Sequence, residues 1–300
     1  MENGTIRIMN AAGTCKVHAH VETLARSAVT DITLGSITVK PREINVGDVF
    51  WVSGNGASLN SLGLPNLGLI WYELHLRQMV KTAHDAGKRL RLSIAPFNHD
   101  DVVVLTMLGA QATVDEIEIN LGCPNVWDGQ VQKPIASFDT ATVVDYLDTA
   151  CRCIESWGRN IGVSAKVSPY SDPSQLEAVA NAIASIKGVT AVVACNTFPN
   201  AFAWNGERAA ISPGEGHAGL AGTPMKHITL GQVRKFRKLL PPHIDIYGAG
   251  GVRGGQDIID LLRAKASAIQ VGTAYADGEK PRIFTDILEE YAILADSETV

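Results

Sequence analysis

Arg89-Leu90-Arg91-Leu92-Ser93-Ile94-Ala95, then the helix-like stretch Asp100–Gly109, then Glu116-Ile117-Glu118-Ile119-Asn120-Leu121 form the stretch on which the fold turns. Two short runs rich in apolar and β-branched residues flank one segment of helical character, which is the pattern of a βαβ unit. Such a crossover joins parallel strands, and helices on a parallel sheet bury both of its faces. The same alternation continues outward in both directions. Further strands are expected at Ile6–Met9, Asp31–Leu34, Ile161–Val167, Ala191–Ala194, Ile244–Tyr247 and Ala268–Val271. Further helices are expected at His20–Ala28, Leu69–Ala86, Thr140–Trp157, Pro173–Ile186, Thr229–Leu239, Gly255–Leu262 and Arg282–Leu294. Asp172-Pro173 opens one of them with a capping carboxylate and a proline at the first turn. Eight units predict a closed (β/α)8 TIM barrel, with residues 1–300 as a single domain. An open doubly wound sheet is the alternative.

Two segments are too long for simple connections. Gly35–Asn66 holds the β-prone Ile37-Thr38-Val39 and a Gly/Ser/Asn-rich piece, and Asn196–Met225 has little periodicity. Both follow strands, so both are expected as long insertions in βα loops on the catalytic face.

Apolar residues make up 46% of the 300 and charged residues 19%, which suits a protein with a sizeable core. The balance of 26 basic against 31 acidic residues leaves −5, which gives no basic footprint for nucleic acid. No run reaches the roughly 18 apolar residues of a membrane helix, and Met1-Glu2-Asn3-Gly4-Thr5 lacks the features of a secretory signal. The five cysteines are scattered without metal-ligand spacing, which fits a reduced cytoplasm.

Chemistry in a β/α barrel is sought just beyond the strand ends. Asn120 and Asn125 flank Cys123 after Glu116–Leu121. Their amides donate and accept together, which suits a flat heterocycle. The thiol between them is a base or nucleophile, or else a small buried hydrophobe between turn-forming asparagines. Lys166 lies in the apolar run Ile161–Val167 and must neutralise, pair or meet an anion, unless it marks an exposed strand end. Cys195-Asn196-Thr197 offers two more polar side chains, or an ordinary turn. Gly248-Ala249-Gly250-Gly251 and Val271-Gly272-Thr273 follow the seventh and eighth expected strands, where barrels often bind phosphate through bare backbone N–H groups. Gly219–Gly222 adds further donors in this reading. Asn60-Ser61-Leu62-Gly63-Leu64-Pro65-Asn66 reads by composition only as a turn. His217, His227 and His243 sit at no ligand spacing and read as surface or loop residues.

Taken together, Met9-Asn10-Ala11-Ala12-Gly13, Asn60–Asn66 (NSLGLPN), Glu118–Asn125 (EINLGCPN), Phe138-Asp139, Lys166, Asn196-Thr197, Gly248–Val252 (GAGGV) and Gln270–Ala274 (QVGTA) resemble the class 1 dihydroorotate dehydrogenases. NSLGLPN resembles their A subclass, and the likeness runs from about Met9 to Ile287. The resemblance implies an FMN-dependent homodimer that oxidises dihydroorotate to orotate in pyrimidine biosynthesis, with fumarate as acceptor. It implies that Cys123 takes the proton from C5 while hydride leaves C6 for the flavin. Asn60, Asn120, Asn125, Asn196 and Thr197 would hold the pyrimidine ring, and Leu62, Gly63 and Leu64 would offer backbone groups. Lys166 would face the flavin ring and ribityl chain. Ala11, Ala12, Gly13 and Ser36 would line the flavin, with Asn120 also in contact. Gly222, Gly250, Gly251, Gly272 and Thr273 would hold the phosphate.

The chain departs from the family in one charged position. A lysine is expected seven residues before Arg42, and Gly35 stands there. Lys40 is the nearest lysine in sequence, and Phe97-Asn98-His99-Asp100 replaces a small-residue turn. The missing cation motivates two further readings, a related FMN oxidoreductase acting on another cyclic amide or enone, and a non-catalytic FMN-binding homologue. If its loss alone weakens substrate binding, Gly35→Lys is expected to improve dihydroorotate oxidation.

Overall fold

The computed structural model describes residues 6–128, 131–278 and 280–297, so the reading of Met1–Thr5 lies outside the described residues. Eight strands close a parallel barrel: β1 (Ile8–Asn10), β2 (Asp31–Ile37), β3 (Arg89–Ile94), β4 (Glu116–Asn120), β5 (Gly162–Lys166), β6 (Val189–Val193), β7 (Asp245–Ala249) and β8 (Ala268–Val271). Each pairs in parallel with its sequence neighbours, and β8 closes on β1 through Met9 opposite Gln270. The helices between them are α1 (His18–Ala25), α2 (Gly68–Asp85), α3 (His99–Ala112), α4 (Thr140–Ser156), α5 (Pro173–Ser185), α6 (Lys226–Leu239) and α7 (Gly255–Arg263), with α8 (Ile283–Ser297) after β8. The expected barrel is the observed one, and the open sheet is excluded.

The local physics is legible in single helices. In α4 the residues Val143, Tyr146, Leu147, Ala150, Cys151 and Ile154 recur at helical spacing and are buried. Asp139 caps it by accepting from the N–H groups of Ala141 and Thr142, a contact of about 1 kcal/mol. Asp172 caps α5 in the same way through Ser174, ahead of Pro173. Most of the apolar core lies between the strands and this helical ring.

Inside the barrel, apolar residues share the space with charge. Met9, Ala191, Val193, Tyr247, Ala249 and Ala268 form one small cluster. Beside it the fully buried Arg91 pairs with Glu116 at 2.6 Å and Glu118 at 3.5 Å. Tyr247 Oη donates to Glu116 at 3.0 Å, and Arg7 pairs with Asp31 at 2.6 Å. Read in sequence, these residues are merely part of apolar strands; closure of the barrel brings them together.

The two insertions fold onto each other. Phe50–Val52, Ala57–Asn60, Ala218–Gly222 and Phe198–Ala201 form a four-stranded antiparallel sheet, with Gly219 opposite Asn60. Leu59, Ala210, Ile211 and Ala218 give it a core of its own. Gly35, Ser36 and Ile37, expected as the start of the first insertion, instead continue β2 through a register irregularity. No described helix is long and apolar enough to cross a membrane, and no group of three or more potential metal-ligating side chains occurs among the described residues.

Candidate active site

Strand ends and the insertion sheet enclose a cavity of about 550 Å³, a volume typical of sites for small molecules and cofactors. Every residue to which the resemblance gives a flavin or substrate role lines it. Ala11, Ala12 and Gly13 come from the loop after β1, and Ser36 from β2. Asn60, Leu62, Gly63 and Leu64 descend from the first insertion, with Gly222 from the second. Asn120, Cys123 and Asn125 follow β4, Lys166 ends β5, and Asn196 and Thr197 follow β6. Gly250, Gly251, Gly272 and Thr273 close the far wall beyond β7 and β8.

The asparagines are fixed by one another. Asn196 Nδ2 donates to Asn120 Oδ1 at 2.9 Å, and Asn120 Nδ2 donates to Ser36 Oγ at 2.8 Å. Asn125 Nδ2 donates to Asn60 Oδ1 at 2.9 Å, joining the β4 loop to the insertion. Each amide nitrogen keeps a second N–H and each oxygen a second lone pair, which leaves donor and acceptor capacity for a ring. The Thr197 hydroxyl is buried without a partner, and Thr197 packs so closely on Gly219 that a side chain there would collide with it and press against Asn125.

Lys166 is 5% exposed, which answers the choice posed by the sequence. Its ammonium donates to Gln270 Oε1 at 3.3 Å and lies 3.9 Å from Glu118. Burial lowers its pKa and Glu118 works against that shift. Gln270 Nε2 in turn donates to Glu118 at 2.9 Å. The charge is therefore compensated from below while the lysine still borders the cavity.

Burial pushes the Cys123 thiol up, opposed by the Asn125 N–H and then by the charges of Lys16, Lys166 and Arg42. The other cavity thiol, Cys195, is pushed up to about 12 by burial and stays neutral. Of the two, Cys123 is the one surrounded by cations.

On the far wall, glycine is a steric requirement. A Cβ on Gly251 would run into the Lys226 backbone, and one on Gly250 would meet the Thr229 hydroxyl. Gly222, at φ 81, packs against the Gly56 carbonyl. Ser58 and Thr273 join hydroxyls at 2.7 Å across this end.

A family model described as dihydroorotate dehydrogenase matches residues 5–293. The chain belongs to the dihydroorotate dehydrogenase family. Among curated relatives, the putative dihydroorotate dehydrogenase A (fumarate) of Streptococcus uberis is 30% identical over 285 residues, covering 94% of this chain and 87% of the relative. The dihydroorotate dehydrogenase (fumarate) of Trypanosoma cruzi is 30% identical over 289 residues with the same coverage. The solved structure of DHODH from Eimeria tenella in complex with ferulenol superposes with a TM-score of 0.79 at 19% identity, over 98% of this chain and 82% of that one. That likeness speaks for the fold. Members of the dihydroorotate dehydrogenase family are flavin oxidoreductases acting on CH–CH groups.

Against this family background, the cavity holds residues that the sequence did not mark, chiefly Lys16, His20 and Gln270. Gln270 stood inside a quoted motif without a role. Lys16 and His20 carry no periodic or motif signal; they become visible only through packing. Lys40, the lysine nearest Gly35 in sequence, is exposed and does not line the cavity.

Two expectations change. The proposed repair Gly35→Lys is not accommodated: Gly35 has φ 115, and a Cβ there would be driven into the Ser93 carbonyl oxygen. The departure at Phe97 has a packing role, since its ring carries Lys133 Nζ at 3.9 Å and the Arg42 guanidinium at 5.3 Å. His217, His227 and His243 are exposed, as read from the sequence.

Proposed function

We propose that this protein oxidises dihydroorotate to orotate with FMN, passes the electrons to fumarate, and works as a cytoplasmic homodimer whose residues 1–300 form one barrel domain. The observation that carries the reading is the convergence of Cys123, four asparagines and Thr197 on one wall of a cavity whose other walls hold Lys166 and the glycine ends of β7 and β8. The names of the relatives, dihydroorotate dehydrogenase (fumarate), support the substrate and acceptor.

The cavity suits FMN on its own terms. The far wall has only glycine at Gly222, Gly250 and Gly251, where side chains would collide, so bare backbone faces the phosphate end. Lys166 would provide a cation for the ring end. Bound there, FMN would supply a two-electron acceptor for the hydride that leaves C6 of the substrate. Cys123 Sγ takes the proton from C5. Asn60, Asn120, Asn125 and Asn196 hold the ring's amide and carbonyl groups, so that the C5–H bond faces the thiolate. Leu62, Gly63 and Leu64 cover the substrate and exclude water, with Arg42 Nε holding the Gly63 carbonyl at 2.8 Å. Lys166 faces the negative charge that develops during the reaction.

Mixing the holoenzyme with dihydroorotate without oxygen should bleach the yellow absorbance, and fumarate should restore it. Absence of bleaching would remove dihydroorotate as substrate. The absence of a lysine at position 35 favours, as a second reading, a related cyclic substrate; bleaching by such a compound alone would select it.

A further inference from the structure

Lys16 is a buried-side cation without a carboxylate. Arg91, Arg7, Lys166 and Lys226 each lie within 4 Å of an Asp or Glu. Among the described residues Lys16 has no such partner; its ammonium donates only to the Ser36 carbonyl oxygen at 3.2 Å. A carbonyl satisfies one of three ammonium donors and none of the net charge. The side chain is half-buried and borders the cavity. Burial pulls its pKa down to about 8, with Cys15 and Cys123 opposing that shift and Lys166 adding to it, so the ammonium is still largely charged at neutral pH.

The residue is also held in place. Tyr72 Oη donates to the Lys16 carbonyl at 2.9 Å, and the Lys16 N–H donates to His20 Nδ1 at 3.1 Å. The preceding Cys15 is fully buried, and its carbonyl accepts from the Gly35 N–H at 2.9 Å. Gly13 N–H donates to the Gly35 carbonyl, so the β1 loop is stitched to β2 through both backbone groups of the residue just before the ammonium's partner. Ser36, whose carbonyl takes the ammonium, also accepts from Asn120 through its hydroxyl. A fixed, uncompensated cation thus stands in the same cavity as Cys123, linked to the asparagine wall through one residue.

We infer that Lys16 is the specificity-determining residue of this cavity, binding the carboxylate of an anionic substrate beside Cys123. This rests on the proposed function in its choice of dihydroorotate, whose ring carries such a group, but the anion subsite itself follows from the cavity. It also accounts for glycine at position 35, because the positive charge enters from the β1 loop and Gly35 provides the close backbone approach that seats it.

Iodoacetate and iodoacetamide test this directly. Both alkylate a thiolate with loss of iodide, and only the first carries a carboxylate, so their rate ratio reports the local field and not the thiol's own pKa. Holoenzyme is treated with each reagent, and labelling is followed by peptide mass spectrometry at Cys123 and at Cys153, a partly exposed thiol on the outer helix α4 that serves as internal reference. The expected iodoacetate preference at Cys123 exceeds that at Cys153 by about ten-fold or more; about 1.4 kcal/mol corresponds to that factor. Lys16→Met should remove most of the excess, Lys166 and Arg42 accounting for what is left, and Lys16→Arg should keep it. Equal ratios at the two cysteines of the unaltered enzyme, or an unchanged ratio in Lys16→Met, would overturn the inference. Bleaching by dihydroorotate is scored separately. A preserved preference without bleaching would retain the anion subsite and discard that substrate; bleaching without the preference would do the reverse.

Discussion

The carbonyl oxygen of Ser93 occupies the space that a side chain on Gly35 would need. Gly35 also sits at φ 115, a region that residues with a Cβ rarely adopt. Gly35→Lys is therefore expected to destabilise the protein by roughly 3 kcal/mol and to lower dihydroorotate oxidation. Urea unfolding and steady-state rates check both. A stable variant of improved activity would show that the β2 end rearranges freely.

Cys123 carries the pH dependence. Burial holds its pKa above the ordinary thiol value, so the thiolate is scarce at neutral pH and grows as pH rises. Flavin reduction should accelerate with pH through and beyond about 8.5, the usual thiol value. Lys16 works in the opposite sense, losing its charge above about pH 8 and so weakening capture of an anion. Stopped-flow measurements from pH 6 to 10 separate a rising rate constant from a rising substrate KM. Cys123→Ala should retain flavin and lose about 10³-fold or more in reduction. Near-normal rates in that variant would remove the thiol from the chemistry.

Lys166 is positioned by Gln270 and Glu118 and borders the cavity. Lys166→Met should slow flavin reduction by about 10²-fold. Stability should change little, because Glu118 keeps Arg91 and Gln270 as partners. Anaerobic single-turnover rates and thermal melts make the comparison. Unaltered reduction would confine Lys166 to a packing role.

Arg91 tests the interior of the barrel. Arg91→Met leaves Glu116 without its cation and Glu118 with Lys166 alone, at 3.9 Å, and should cost about 3–5 kcal/mol at pH 7. Burial alone would raise the Glu116 pKa, but the charge and hydrogen bond of Arg91 hold it below its usual 4.5. The unaltered protein therefore has this stabilisation above about pH 4.5 and loses it as pH falls through the lower folded value. In the variant the sign reverses, since protonation neutralises the stranded carboxyls, and the deficit should shrink on acidification. Denaturant curves at pH 7 and pH 4 measure it.

The barrel was legible because parallel strands buried on both faces leave nearly continuous apolar runs, while the helices betray their inner faces by spacing, as in Val143, Leu147, Ala150 and Ile154 of α4. Cys123 and its flanking asparagines were legible because a strand end fixes where its loop points. The charged interior was not, since Arg91 meets Glu116 and Glu118 only across two neighbouring strands once the sheet is in register.

By itself, the sequence determined the fold and the family and named many of the side chains that line the cavity, though not Lys16, His20 or the role of Gln270. Local spacing and short motifs encode those properties, and they survive without knowledge of distant contacts. Which cation serves the substrate was decided by tertiary structure alone. Lys16 and Ser36 are twenty residues apart in the chain, and their 3.2 Å contact depends on the β1 loop docking against β2 through Cys15 and Gly35. The glycine that reads in sequence as a lost charge becomes, in the folded protein, the place where backbone approaches closely enough to hold another lysine. Charge is placed by geometry in space, and separation along the chain does not record it.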